Sequence, residues 1–139
     1  MSEGGPAYVL DSFALLAYLE GEVGMETVKD RLHQAQAANC AIYLSIINLG
    51  EVLYITERER GITQAHAVLA AVDQLPIQLL AADRETVLAA AHVKAAYPLS
   101  YADAFVVAAA QAKRAIVLTG DPEFRSVEDL APVEWLARS

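Results

Sequence analysis

At 139 residues the chain is long enough for one domain with a core of its own, and its 55% hydrophobic, alanine-rich composition points to helices packed closely against other elements. One cysteine, Cys40, excludes disulfide frameworks and cysteine-based zinc sites; no apolar run reaches the ~18–20 residues of a membrane span, and the N-terminus lacks the basic and apolar parts of a signal peptide, so a reducing cytoplasm is expected. The net charge of −8 argues against a general polyanion-binding module, except where clustered carboxylates bind divalent cations and reverse the local field.

Residues 1–6 are expected to form a flexible leader, and residues 7–139 one domain. Tyr8-Val9-Leu10 reads as a short strand running into Asp11-Ser12, then a helix through Leu15, Leu16 and Leu19 that Gly21 to Gly24 breaks. Met25 to Ala38 has a mixed charged face and reads as a second helix. A strand at Ala41 to Leu44 leads to Ser45, a good cap for a helix that runs to about Arg60 and ends at Gly61. The next helix spans Thr63 to Leu75-Pro76, and Ile77 to Leu80 is a third strand.

Asp83 caps a helix with Val87, Leu88, Ala91 and Ala95 at helical spacing. Pro98 ends it, and Ser100 caps the helix from there to Lys113, which has no continuous polar face before Gln111. A helix apolar all round belongs in the middle of a domain. Ala115 to Leu118 is a fourth strand, Asp121-Pro122 opens a short helix, and Val133 to Leu136 is a last strand. Short apolar strands alternating with helices imply a parallel sheet covered on both faces, with functional residues beyond the carboxyl ends of its strands.

Four acidic residues stand out against this frame. Asp11 and Asp121 each follow a predicted strand, and each is placed to cap the next helix. Asp103 lies three residues after Ser100, as in a capping box, yet shares a stripe with Val106, Val107 and Ala110, where a charge needs a partner, a metal or a proton. Glu51 is six residues past its helix cap, between Ile47 and Ile55, with a salt bridge to Arg58 or another arginine as the structural alternative. Gly50 beside it costs roughly 1 kcal/mol relative to alanine in a helix, which leads us to expect something close to the backbone there. Strand ends and helix starts share one edge of such a sheet, and four carboxylates meeting there repel unless divalent cations neutralise them. Oxygen-only ligands suit Mg²⁺ or Mn²⁺, and two such ions ~3.5–4 Å apart can serve phosphodiester cleavage. Ser12 and Thr119 are placed to hold carboxylates or phosphate oxygens behind the acids.

The segments at 8–19 (Tyr-Val-Leu-Asp-Ser-Phe-Ala-Leu-Leu-Ala-Tyr-Leu), 48–54 (Asn-Leu-Gly-Glu-Val-Leu-Tyr), 99–105 (Leu-Ser-Tyr-Ala-Asp-Ala-Phe) and 118–124 (Leu-Thr-Gly-Asp-Pro-Glu-Phe), in this order, resemble the PIN-domain family, and most of all its VapC-type toxin ribonucleases. The resemblance runs from about residue 7 to 136. It implies a three-layer α/β/α sandwich with a central parallel sheet and Mg²⁺- or Mn²⁺-dependent cleavage of RNA. Asp11, Glu51, Asp103 and Asp121 match the family's acidic site, Thr119 its hydroxyl two positions before the last Asp, and Ser12 the small polar residue after the first. A homodimer and a tightly bound antitoxin protein are implied as well.

Two other classes remain open at this level. A Mg²⁺-dependent phosphohydrolase or receiver-like phospho-acceptor also places Asp after a parallel strand, but wants a lysine near the end of a later strand, where Leu118-Thr119-Gly120 stands. A non-catalytic module would use an acidic pocket to bind a basic peptide. His33, His66 and His92 show no ligand spacing, and the tyrosines and phenylalanines read as packing residues. Arg58, Arg84, Lys94, Lys113, Arg114 and Arg125 are available for RNA phosphates, with none singled out.

Overall fold

The computed structural model describes residues 5–137. Five strands, β1 (Ala7–Leu10), β2 (Ala41–Ser45), β3 (Gln78–Leu80), β4 (Ile116–Thr119) and β5 (Val133–Trp135), form one sheet in the order β3-β2-β1-β4-β5. Every pairing is parallel, with Val9 of β1 opposite Tyr43 of β2 and Val117 of β4. The leader expected at residues 1–6 lies outside the described residues for 1–4. Beyond them, the Pro6 carbonyl accepts the Ala41 N–H at 3.1 Å, so the β1–β2 ladder begins just ahead of β1.

The alternation of side chains along the strands fills two cores. Tyr8, Leu10, Ile42, Leu44 and Leu118 face a layer made by α1 (Ser12–Glu20), α2 (Met25–Gln36), α3 (Ile46–Arg60) and α4 (Ile62–Asp73). Val9 and Val117 face the other layer, made by α5 (Arg84–Ala96), α6 (Tyr101–Lys113) and the 3-10 helix Pro122–Val127. This is the three-layer α/β/α sandwich around a central parallel sheet that the sequence predicts, with β5 placed as expected.

Helix α6 is the centre of the second layer. Every residue from Asp103 to Ala110 is buried, and Phe105, Val106 and Val107 are almost wholly so. Each such large side chain is worth roughly 1.5–3 kcal/mol in area removed from water. The alanines keep the helix thin enough to lie close to β1, β2 and β4, so its first turn is fixed at the sheet edge. Ser100 starts it by accepting the Asp103 N–H at 3.1 Å.

Two expectations fail here. Gly50 is exposed and has open space where a side chain would be, so nothing approaches the backbone there; the close contact lies at Gly120, where a Cβ would come within 2.4 Å of the Phe13 ring. Tyr54 and Tyr101 are half exposed rather than packed away. Tyr54 lies under the Arg58 guanidinium, and Tyr101 meets Phe105 edge to face.

Candidate active site

The chain order places β1 beside β4 at the point where successive strands begin to be added on the opposite side of the sheet. A crevice opens beyond the strand ends at such a switch point. Asp11 immediately follows β1, while Thr119 ends β4 and Asp121 comes two residues later. The helix starts of α1, α3 and α6 deliver Ser12, Asn48 with Glu51, and Asp103 to the same edge.

Asp11 is both a cap and a site residue. One carboxylate oxygen accepts the Ala14 N–H at 2.8 Å, starting α1, and the other accepts the Thr119 hydroxyl from the neighbouring strand. Thr119 in turn accepts the Asp121 N–H at 2.9 Å, and Asp121 caps the 3-10 helix by accepting the Glu123 N–H at 2.9 Å. A single run of hydrogen bonds therefore fixes Asp11, Thr119 and Asp121 relative to one another. Gly120 lets the turn that carries Thr119 and Asp121 lie against Phe13, next to Ser12. Ser12 donates its hydroxyl to Glu51, so both hydroxyls named from the sequence hold carboxylates.

Burial pushes the Asp11 carboxyl up from 3.8 to about 7; the Thr119 and Ala14 hydrogen bonds pull against that, and the charges of Asp103 and Asp121 add to it. Asp103 is likewise raised to about 7, first by burial and then by Asp121, with Glu51 and Glu123 contributing further and the Ser100 hydroxyl opposing. Asp11 thus feels Asp103 and Asp121, and Asp103 feels Asp121 and Glu51, so the four acids predicted from the sequence are linked through Asp103. Oxygens of Asp103, Asp121 and Glu123 all lie within 4.8 Å of each other. Asp11 and Glu51 sit outside that innermost group, each with an oxygen engaged by a hydroxyl.

No ion pair among the described residues involves any of these acids; the arginine partner considered for Glu51 is absent, and Arg58 stacks on Tyr54 instead. A donor set made only of carboxylates, crowded and without a basic partner, fits a hard divalent cation. The hydroxyl of Thr119 occupies the strand-end position where a receiver-like domain wants lysine. A cleft of about 290 Å³ between α5 and α6, lined by Phe105, Ala109 and Lys113 among others, contains none of the four predicted acids.

Two further residues, Glu123 and Asn48, belong to this site. Glu123 stands two positions after Asp121, where a continuous α-helix would separate the two side chains; the extended backbone of Asp121 (φ −82°, ψ 117°) brings them together instead. An acid just past the Asp-Pro start was the available signal. Asn48 is fully buried, and its amide nitrogen donates to Ser12 Oγ at 3.4 Å and to the Ala102 carbonyl at 3.3 Å.

Fold and site together define an α/β/α protein with an acidic centre at the switch point of a parallel sheet. The profile of the PIN domain family matches residues 8–130, and the chain belongs to that family. Among solved structures, a chain of the VapBC2 complex of Rickettsia felis, bound to a DNA fragment from its promoter, superposes with a TM-score of 0.76 at 14% identity, covering 94% of this chain and 99% of that one. The DNA-bound VapBC of Salmonella typhimurium gives 0.75 at 17% identity, over 93% of this chain and 97% of that one. VapC20 of Mycobacterium tuberculosis, described as a Sarcin-Ricin loop cleaving toxin, gives 0.67 at 20% identity, over 86% and 94%. At these identities the likeness establishes the fold. Comparison by sequence with curated proteins gives no match.

Proposed function

We propose that this protein is a divalent-metal-dependent endoribonuclease, the toxin of a toxin–antitoxin pair, working on RNA phosphodiesters with Mg²⁺ or Mn²⁺. The observation that carries the reading is the crowding of Asp103, Asp121 and Glu123 within 4.8 Å, with Asp11 and Glu51 beside them and no cation among the described residues paired to any of the five. Such an arrangement is costly unless something positive is bound. Family membership and the activity named for VapC20 support the choice of RNA cleavage over other metal chemistry.

Asp11, Asp103 and Asp121 are the residues proposed to hold the metal, with Glu51 and Glu123 completing its surroundings directly or through water. Bound there, a divalent cation supplies charge neutralisation at the scissile phosphate and a water acidic enough to attack it. The chain's own contribution is rigidity and proton control. Thr119 and the Ala14 N–H aim the Asp11 carboxylate, and Ser12 aims Glu51. Without metal, Asp11 and Asp103 hold protons at near-neutral pH, which they release on loading. Glu51, half-buried at the rim, is the acid proposed to orient the attacking water.

We further infer a homodimer and an antitoxin partner, supported by the VapBC complexes among the similar folds. A cytoplasmic setting goes with that role; no helix among the described residues is long and apolar enough to cross a membrane. The test is cleavage of a defined RNA by purified protein with Mg²⁺ or Mn²⁺. Cleavage that disappears in Asp103→Asn and in excess chelator supports the reading, and equal cleavage in both conditions rejects it.

A further inference from the structure

We propose that Asn48 is a positioning residue for the acidic centre, its amide nitrogen tying the holder of Glu51 to the helix turn that carries Asp103. This rests on the ribonuclease reading above. Asn48 lies in the first turn of α3 and is wholly buried. The Ala102 carbonyl can only accept, so the amide nitrogen must face it, at 3.3 Å. Ala102 directly precedes Asp103 in the first turn of α6. The same nitrogen lies 3.4 Å from Ser12 Oγ, and Ser12 Oγ lies against Glu51 Oε1.

Directionality makes this more than contact. A hydroxyl has one proton. With Asn48 donating to Ser12, the Ser12 proton is turned toward Glu51, whose carboxylate can only accept. A competing acceptor exists, since the backbone carbonyl of Asn48 is also 3.4 Å from Ser12 Oγ. Removing the amide frees Ser12 to turn to that carbonyl and leaves Glu51 unheld. One side chain thus links α1, α3 and α6, which carry or adjoin Asp11, Glu51 and Asp103.

Stability alone does not account for an asparagine here. Its Oδ1 is buried and has no hydrogen-bond partner among the described residues. A bare buried acceptor costs about as much as a made hydrogen bond returns, so the amide's net contribution to folding is small. Groups one shell behind a metal ligand commonly change affinity or activity by about 10–100-fold when removed.

The test compares wild type, Asn48→Ala, Asn48→Asp, Ser12→Ala and the double variant Ser12→Ala/Asn48→Ala. Three quantities are read: melting temperature, Mn²⁺ affinity by calorimetry without RNA, and single-turnover cleavage at saturating Mn²⁺. We expect Asn48→Ala and Asn48→Asp to lose about 10–100-fold in Mn²⁺ affinity or cleavage rate, with melting temperature little changed. The double variant should be no worse than the weaker single one, because both act along one path. Asn48→Asp keeps the volume, so it carries the test if the alanine variant does not fold. The proposal is overturned if Asn48→Ala matches wild type within about twofold, if the single losses multiply in the double variant, or if neither Asn48 variant folds, which makes Asn48 a packing residue. A wild type that neither binds Mn²⁺ nor cleaves RNA overturns the ribonuclease reading itself, and this inference with it.

Discussion

Two charged regions of this molecule are handled in opposite ways. Arg31 of α2 and Glu134 of β5 are 21% and 29% exposed, and they meet as a fork, Nε to Oε1 at 3.0 Å and Nη2 to Oε2 at 2.5 Å, with the guanidinium also over the Tyr8 ring. Each charge has its complement, and the pairing pushes the arginine further toward its protonated form. At the carboxyl edge of the sheet, Asp11 and Asp103 are more deeply buried, yet their charged neighbours are other acids. The same chain that pairs Arg31 with Glu134 leaves Asp11 and Asp103, where β1 meets β4, without an ion-pair partner among the described residues. The difference teaches why a cation site is proposed at the acidic edge: among the described residues no basic group neutralises it.

The largest expected effect follows from removing one charge at that edge. Asp103→Asn keeps shape and cap but takes away a proposed ligand, and cleavage should fall at least ~10³-fold, about 4 kcal/mol of barrier, in a rate assay with Mn²⁺. The same substitution should make the metal-free protein more stable at pH 8. Asp11 and Asp103 titrate near 7 when folded against an ordinary 3.8, so the folded protein binds more protons than the unfolded chain between those values. Stability without metal is therefore fullest below about pH 4 as far as these groups go, falls as pH rises toward 7, and then levels. Thermal melts in chelator across pH should show a smaller fall in Asp103→Asn, and Mn²⁺ should restore wild type at pH 8.

A change of shape without change of charge sharpens the contrast further. Gly120→Ala forces a Cβ into the Phe13 ring, so the turn bearing Thr119 and Asp121 must shift or the ring must leave. A cost of about 1–3 kcal/mol in stability is expected, with cleavage reduced, and Phe13→Ala in the same chain should recover much of the loss. The smallest effect belongs to the paired region. Glu134→Gln should cost about 1 kcal/mol in a denaturant melt and leave cleavage as it was. A larger effect on cleavage than on stability there would undo the contrast between the two regions.

Much of this was legible in the chain itself. Strand cores such as Tyr8-Val9-Leu10 and Ile116-Val117-Leu118, the Ser45, Asp83, Ser100 and Asp121 caps, and the wholly apolar α6 are local signals that tertiary structure reinforces. The convergence of Asp11, Asp103 and Asp121 followed from the rule that parallel sheets collect strand ends at one edge. What the sequence hid depends on contacts between distant segments. Gly50 looked strained because helix propensity is local, whereas the glycine that matters, Gly120, is defined by where Phe13 arrives 107 positions earlier in the chain. Met25 to Ala38 ended two residues early because Ala38 adopts a left-handed conformation (φ 60°), which the alanine-rich run does not announce. Asn48 opens the 48–54 segment, but its contacts gave no sign, since a buried asparagine and a solvated one look alike until Ser12 and Ala102 are placed beside it.

The central claim is that the unpaired acids form a cation site, and calorimetric titration of metal-free protein with Mn²⁺ at pH 7 in buffers of different ionisation enthalpy tests it most directly. The account predicts saturable binding with release of protons from Asp11 and Asp103, and its loss in Asp103→Asn. Absence of binding at millimolar Mn²⁺, or binding that Asp103→Asn leaves unchanged, contradicts it.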